Sequence, residues 1–492
     1  MVSRKNLALF YLFSLGFLAA DVWLMLIKGN FLFGLLPLGL LIVYAALFSL
    51  NELILAVAFL TPLSIRITEL PGLSLGNVGI GVSLPTSPIM LCILLIFILL
   101  VIQNGYDSKI LKHSATIIIL FSITWIFVTS VTSTMPFVSF KFLIDRCWGI
   151  ATFYFLGIYL FRKRKNIYKF VWLYVASFTI VIFYTIFRQV QGHFSEKVSH
   201  FAMNPFYNDH TAYGAVLSMF IPVLFAFSMN KSSKSFSRFA SFALFLLFLA
   251  AVGLSYSRAS WVSLIVAFGI YLLLKSGIKL KYIFATLCIA ITLFFTFKTQ
   301  IIMRLERNDS QVSQKLGTEI ESISNISSDA SNLERLNRWS CAYRMFLDKP
   351  FLGYGPGTYS FQYAPYQLSY ERTIISTNLG NGGNAHSEYL GPLAEQGILG
   401  MASFLALAVI TFILAFRLHK KLLDKEVKNI ATAIFLGLVT YFIHGAMNNF
   451  LDTDKAAVPF WGFLGILVAI DLQKNYLEEP TNNFKSQNTI HG

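Results

Sequence analysis

Gly353-Tyr354-Gly355-Pro356-Gly357 and Asn381-Gly382-Gly383-Asn384-Ala385-His386-Ser387-Glu388-Tyr389 stand in one polar island, residues 299–396. Apolar runs at 282–297 and 398–416 flank it. A connection this long without structure of its own is uncommon unless it is functional or disordered. Set among short connections, the island reads as half of an active site.

Composition supplies the surroundings. The chain is 56% hydrophobic and 13% charged, with a mean hydropathy of +0.64; a soluble domain of this size carries about 25% charged residues. These values predict an all-α polytopic membrane protein. Residues 7–27 follow Arg4 and Lys5 but have no small-residue cleavage site, so they read as a membrane helix rather than a leader peptide. Cys92, Cys147, Cys288 and Cys341 are scattered without a CxxC pair, which argues against a disulfide framework or a cysteine zinc site. The net charge of +15 follows from membrane topology and does not call for nucleic acid.

Runs long enough to cross a hydrocarbon core of about 30 Å fall at 7–27, 31–50, 52–67, 88–103, 114–133, 146–161, 168–188, 211–229, 237–254, 259–274, 281–298, 397–416, 429–447 and 456–472. The expectation is about 12–14 helices, divided into 1–298, the island at 299–396, a last group at 397–472, and a tail at 473–492. With the N-terminus inside, Arg162-Lys163-Arg164-Lys165, Lys275, Lys279, Lys281, Arg417, Lys420 and Lys421 all fall inside as well. That bias predicts cytoplasmic termini and an external island.

The outer boundary gathers His193, His200, His210, His386 and His444, together with Arg66, Arg146, Arg188 and Arg258. Such arginines either line an outward-facing polar cavity or snorkel to lipid phosphates. Snorkelling suits Arg66 and Arg188; the cavity suits Arg258, which lies in the tight turn Gly253-Leu254-Ser255-Tyr256-Ser257-Arg258-Ala259-Ser260-Trp261. A guanidinium among three serines at a helix start suits a phosphate. Alternatively, the serines simply cap two helix ends.

Within the island, Leu336, Trp339, Tyr343 and Phe346 recur at helical spacing over 333–348, with Arg335 and Arg338 beside them. This predicts an amphipathic helix on the outer membrane surface. The glycines at 353–357 read as a structural turn, because no Walker lysine follows them. His386 is expected at a helix N-terminus, sharing a face with Tyr389, Leu390, Leu393 and Gly397. There the dipole would keep it neutral and available as a base; a structural capping histidine is the competing reading. Glu388 and Glu395 fall on the opposite face, either solvated or as orienting partners.

Taken together, Ser257-Arg258-Ala259-x-Trp261, Arg338-Trp339-x-x-Ala342, Pro350-x-Leu352-Gly353-x-Gly355-x-Gly357, Ala385-His386-Ser387-x-Tyr389-Leu390 and Ala394-Glu395-x-Gly397-x-x-Gly400 resemble the O-antigen ligase and polymerase superfamily. The resemblance covers about the last 290 residues. It implies a GT-C-like helical fold in the bacterial inner membrane with a large periplasmic loop. It also implies a glycosyltransferase, without metal or other cofactor, that passes a glycan from undecaprenyl diphosphate to an acceptor hydroxyl on lipid A core, glycan or protein. By the same resemblance His386 is the general base, Arg258 holds the diphosphate, and Arg338 is the loop arginine beside the tryptophan. The segment Asn204-Pro205-Phe206-Tyr207-Asn208-Asp209-His210 departs from the family's pattern. Arg188 is then a candidate for the second diphosphate arginine, with His210, Arg335 and Glu388 as possible supports.

Three rival readings follow. A repeat-unit polymerase would use the same chemistry. A transporter or flippase should show internal repeats, which are not evident. A metalloenzyme would require Asp209, His200, His210 and His386 to converge.

Overall fold

The computed structural model describes residues 15–23, 36–67, 82–276, 319–373, 376 and 383–473; at 319–332 and at residue 196 only the backbone is described. The expected span 281–298 and the tail lie outside the described residues. Residues 15–23 are helical, followed by α1 (Leu36–Phe48) and α2 (Leu50–Leu60). Nine helices among the described residues are long and apolar enough to cross a membrane: α3 (Thr86–Asn104), α4 (Ser114–Val131), α5 (Pro136–Phe161), α6 (Arg164–Gln191), α7 (His210–Met229), α8 (Ser235–Leu254), α9 (Arg258–Ser276), α11 (Leu390–Lys421) and α12 (Lys425–His444). The island helix α10 (Glu319–Asp348) and the last helix, α13 (Asp454–Asp471), complete the set. Helices dominate because backbone polar groups in hydrocarbon must be satisfied within their own segment.

One expected span is corrected. The run 52–67 is helical only to Leu60; after a turn it forms β1 (Ile65–Arg66), which pairs antiparallel with β2 (Ser83–Leu84), Ile65 opposite Leu84 and Arg66 opposite Ser83. Apolar composition alone concealed the turn. The strand removes Arg66 from a helix end and places it in a fixed backbone ladder.

α13 is the axis of the bundle, buried along its whole length from Asp454 to Ile470. α7 and α12 pack against each other and against α13. Their approach is close: a Cβ on Gly437 of α12 would lie 2.4 Å from the Met219 carbonyl oxygen of α7. Small residues at such crossings let backbones meet where lipid offers no hydrophobic drive.

Side chains cap the entries to several helices. Asp209 accepts from the Thr211 and Ala212 N–H groups at 2.7 and 2.8 Å, and Asp424 accepts from Glu426 and Val427 at 2.9 and 3.2 Å. At the end of the bundle opposite Asp209, Arg164 pairs with both Asp424 and Glu426, and Glu426 accepts from Tyr168 and Asn230. Polar ties of this kind fix the helix ends and leave the other end to carry the site.

Candidate functional site

The island packs onto the top of α11 through two buried carboxylates. Glu395 Oε1 accepts from the Tyr359 N–H at 2.9 Å, while its backbone oxygen accepts from Gly355 N–H at 2.8 Å. This seats the glycine turn. Gly353, at φ +66°, admits no side chain, since a Cβ would lie 2.3 Å from the Glu395 carbonyl carbon. Seven residues earlier, Glu388 Oε1 accepts from Tyr441 Oη at 2.6 Å and from the Phe450 and Leu451 N–H groups at 2.8 and 2.9 Å. Of the two readings of these glutamates, solvated or orienting, burial favours the second: each is at most 9% exposed and holds a loop. Glu388 ties the 445–453 loop to the segment that carries His386.

His386 does not lie on the helix. α11 begins at Leu390, capped by the Ser387 hydroxyl, which accepts from the Tyr389 and Leu390 N–H groups. His386 precedes it in a left-handed turn at φ 49°, with its N–H on Asn384 Oδ1 at 3.1 Å and its carbonyl on Trp339 Nε1 at 3.3 Å. The expected shared helical face is therefore absent. The side chain is still held neutral, for a different reason: burial, then the positive charges of Arg338 and Arg335, push its pKa down to about 4 against weaker pulls from Asp209 and Asn448.

Arg338 stands behind this turn. It is 4% exposed, pairs with Glu334 at 2.9 Å, lies 4.6 Å from the Tyr363 ring centroid, and reaches the Asn384 carbonyl at 3.4 Å. Glu334 in turn accepts from Thr373 at 3.0 Å and from Ser376. The buried face of α10 is thus Glu334, Asn337, Arg338, Cys341, Ala342 and Met345, while Leu336 and Tyr343 of the apolar stripe face outward. The apolar stripe points attention to the wrong face: Arg338, beside it in the pattern, is the interior residue.

His386 opens into a cleft of about 300 Å³, whose polar wall includes Arg66, Asp209, Asn449, Asp452 and Lys455. These come from β1, the turn before α7, and the loop and first turn of α13. Arg335, on α10, lies within electrostatic reach of Asp209, Arg258 and His386, so it links the arginine turn to the histidine. Arg258 itself is exposed at the start of α9. The serines expected around its guanidinium are buried and turned inward: Ser255 donates to the Val252 carbonyl at 2.8 Å, and Ser260 donates to Ser257 at 2.8 Å. They build the turn and leave Arg258 as its one charged projection.

The other expected residues lie beside the cleft. Arg188 donates to the Asn204 carbonyl at 2.7 Å and lies 5.8 Å from the Tyr184 ring centroid, fixing the loop that leads to Asp209. His210 opens α7 and stacks on His200 with centroids 4.0 Å apart; its Nδ1 is buried and has no hydrogen-bond partner among the described residues. Asp209 is committed to capping. Among the described residues, no three His, Cys, Asp or Glu side chains are grouped to hold a metal ion.

The family model described as O-antigen ligase matches residues 242–405. Residues 242–405, less than half of the chain, are similar to the O-antigen ligase family. The match supports membership of the O-antigen ligase superfamily and an O-antigen ligase or polymerase type of function, in a multi-pass membrane protein. The matched segment holds Arg258, Arg335, Arg338, His386 and Glu388; Arg66, Arg188, His210 and Lys455 lie outside it. No curated protein matches the chain.

Proposed function

We propose that the protein is an inner-membrane glycosyltransferase that transfers a glycan from undecaprenyl diphosphate to an acceptor hydroxyl during surface polysaccharide biosynthesis, with both termini cytoplasmic and the island periplasmic. The observation that carries this reading is the His386 side chain at the wall of a cleft, with Arg335 in electrostatic reach of both it and the exposed Arg258. A lipid-linked diphosphate brings its own leaving group. Transfer then requires a base at the acceptor, positive charge at the diphosphate and restricted water.

His386 accepts the proton of the acceptor hydroxyl. The oxygen forms the new bond to the anomeric carbon as the bond to the diphosphate oxygen breaks, and the electron pair leaves on undecaprenyl diphosphate. Arg258 binds that diphosphate, and Arg335 adds to the positive field between it and the histidine. Arg338, Glu388 and Arg188 act by positioning: Arg338 and Glu388 hold the His386 turn and the 445–453 loop, and Arg188 anchors the loop before Asp209. His210 packs beneath that loop.

The test is the surface glycan profile of a strain lacking the protein, complemented with wild type or His386→Ala. Unattached lipid-linked polymer in the deletion assigns a ligase; single repeat units assign a polymerase. A normal profile counts against both.

A further inference from the structure

Two cations on the cleft wall, Arg66 and Lys455, are given no role in the donor chemistry proposed above. Lys455, in the first turn of α13, is 8% exposed; its Nζ donates to the Ser64 carbonyl at 2.8 Å and lies 4.6 Å from the Tyr207 ring centroid. Its neighbour Asp454 is committed elsewhere, accepting from Thr86 and Ser87 at 2.8 and 2.6 Å and from Trp148 at 3.3 Å. Arg66 is half-buried on β1. Among the described residues neither cation forms an ion pair. Lys455 is held by a carbonyl and a ring rather than by a carboxylate, and Arg66 is only half-buried, so their positive charge is left in the cleft for an incoming anion to offset.

The charges fall into two groups. Arg335 and Arg338 act on His386, and Arg335 also senses Arg258. Arg66 and Lys455 act on one another, and Arg66 acts on Asp452, which is exposed in the same cleft. In a direct displacement at an anomeric carbon, the incoming oxygen and the leaving diphosphate occupy opposite sides. If the Arg258 side takes the diphosphate, the second group borders the incoming hydroxyl.

We propose that Arg66 and Lys455 form an anion seat for the acceptor, binding a phosphate or carboxylate carried on the sugar that presents the hydroxyl to His386. This rests on the donor assignment above. Asn449 and Asp452 beside the seat offer hydrogen-bonding groups to the neighbouring sugar hydroxyls, which sets the acceptor sugar's orientation. Of the two cations, Arg66 supplies a planar fork suited to two oxygens of one group.

The test uses the purified full-length protein in micelles, titrated separately with glucose 6-phosphate, glucuronate and undecaprenyl diphosphate. Arg66→Gln is expected to weaken binding of the anionic sugar about tenfold or more, the loss of one charge-assisted contact, and to leave undecaprenyl diphosphate binding unchanged. Lys455→Gln should act in the same direction. The sugar that binds identifies phosphate or carboxylate. Wild-type protein that binds neither sugar, or an Arg66→Gln variant that binds them as wild type does, overturns the seat. Loss of undecaprenyl diphosphate binding in Arg66→Gln also overturns it, by assigning the pair to the donor. Arg258→Gln separates the two readings: undecaprenyl diphosphate binding unaffected by that change contradicts the donor assignment and leaves the sugar result standing by itself.

Discussion

Leu451 donates its backbone N–H to Glu388 Oε1 at 2.9 Å, across 63 residues of chain. The same oxygen accepts from the Phe450 N–H and the Tyr441 hydroxyl, so one carboxylate holds the loop that completes the cleft beside His386. Glu388→Ala leaves the buried Leu451 N–H without its acceptor, at a cost of about 1–3 kcal/mol, and leaves the Phe450 N–H only the longer bond to Tyr441 Oη at 3.2 Å. Thermal unfolding in detergent should shift down and transfer should fall with it. Glu388→Gln keeps an acceptor oxygen and is expected to retain more of both. Equal loss in the two variants would mean that the charge, rather than the clasp, matters.

Arg338 and Arg258 separate stability from chemistry. Arg338→Ala strands Glu334 in the interior, and breaking a buried pair in this way costs about 3–5 kcal/mol. Arg258 is exposed, so Arg258→Ala should leave the unfolding temperature nearly unchanged while transfer is lost. Unfolding curves recorded beside transfer assays give the comparison. An Arg338→Ala protein as stable as wild type would remove its positioning role.

The low pKa of His386 gives a signed pH dependence. A base is active when unprotonated, so with a pKa of about 4 the protonation of His386 should not limit transfer at neutral pH, and transfer should fall as pH drops through about 4. Removing a neighbouring positive charge with Arg335→Gln makes protonation easier and should move this acid limb to higher pH. A wild-type limb near the ordinary histidine value of about 6.5 would contradict the burial that holds the imidazole neutral.

Much of the bundle was legible because long apolar runs leave few alternatives, and the motif residues drew attention to His386 and Arg258. What escaped was set by contacts over long separations. The Lys455 ammonium meets the Ser64 carbonyl across 391 residues, and no local pattern announces such a pairing. Arg66 resembled a snorkelling arginine because the chain around it is apolar; the short β1–β2 pair that re-aims it has too few residues for an alternating pattern. Asp452 and Lys455 flank an apolar run as ordinary boundary charges do. The left-handed turn at His386 was missed because Ser387, not the histidine, caps α11. Glu388 and Glu395 offered a signal in retrospect, since two carboxylates beside an apolar helix start have to be either solvated or clasped.

The central claim is that His386 is the base for glycan transfer. It is tested most directly by single-turnover transfer from an undecaprenyl-diphosphate-linked glycan by purified His386→Ala protein, with folding checked by thermal unfolding. A folded variant whose transfer is reduced by at least about a hundredfold fits the account. A folded variant that transfers at the wild-type rate contradicts it and removes His386 from the chemistry.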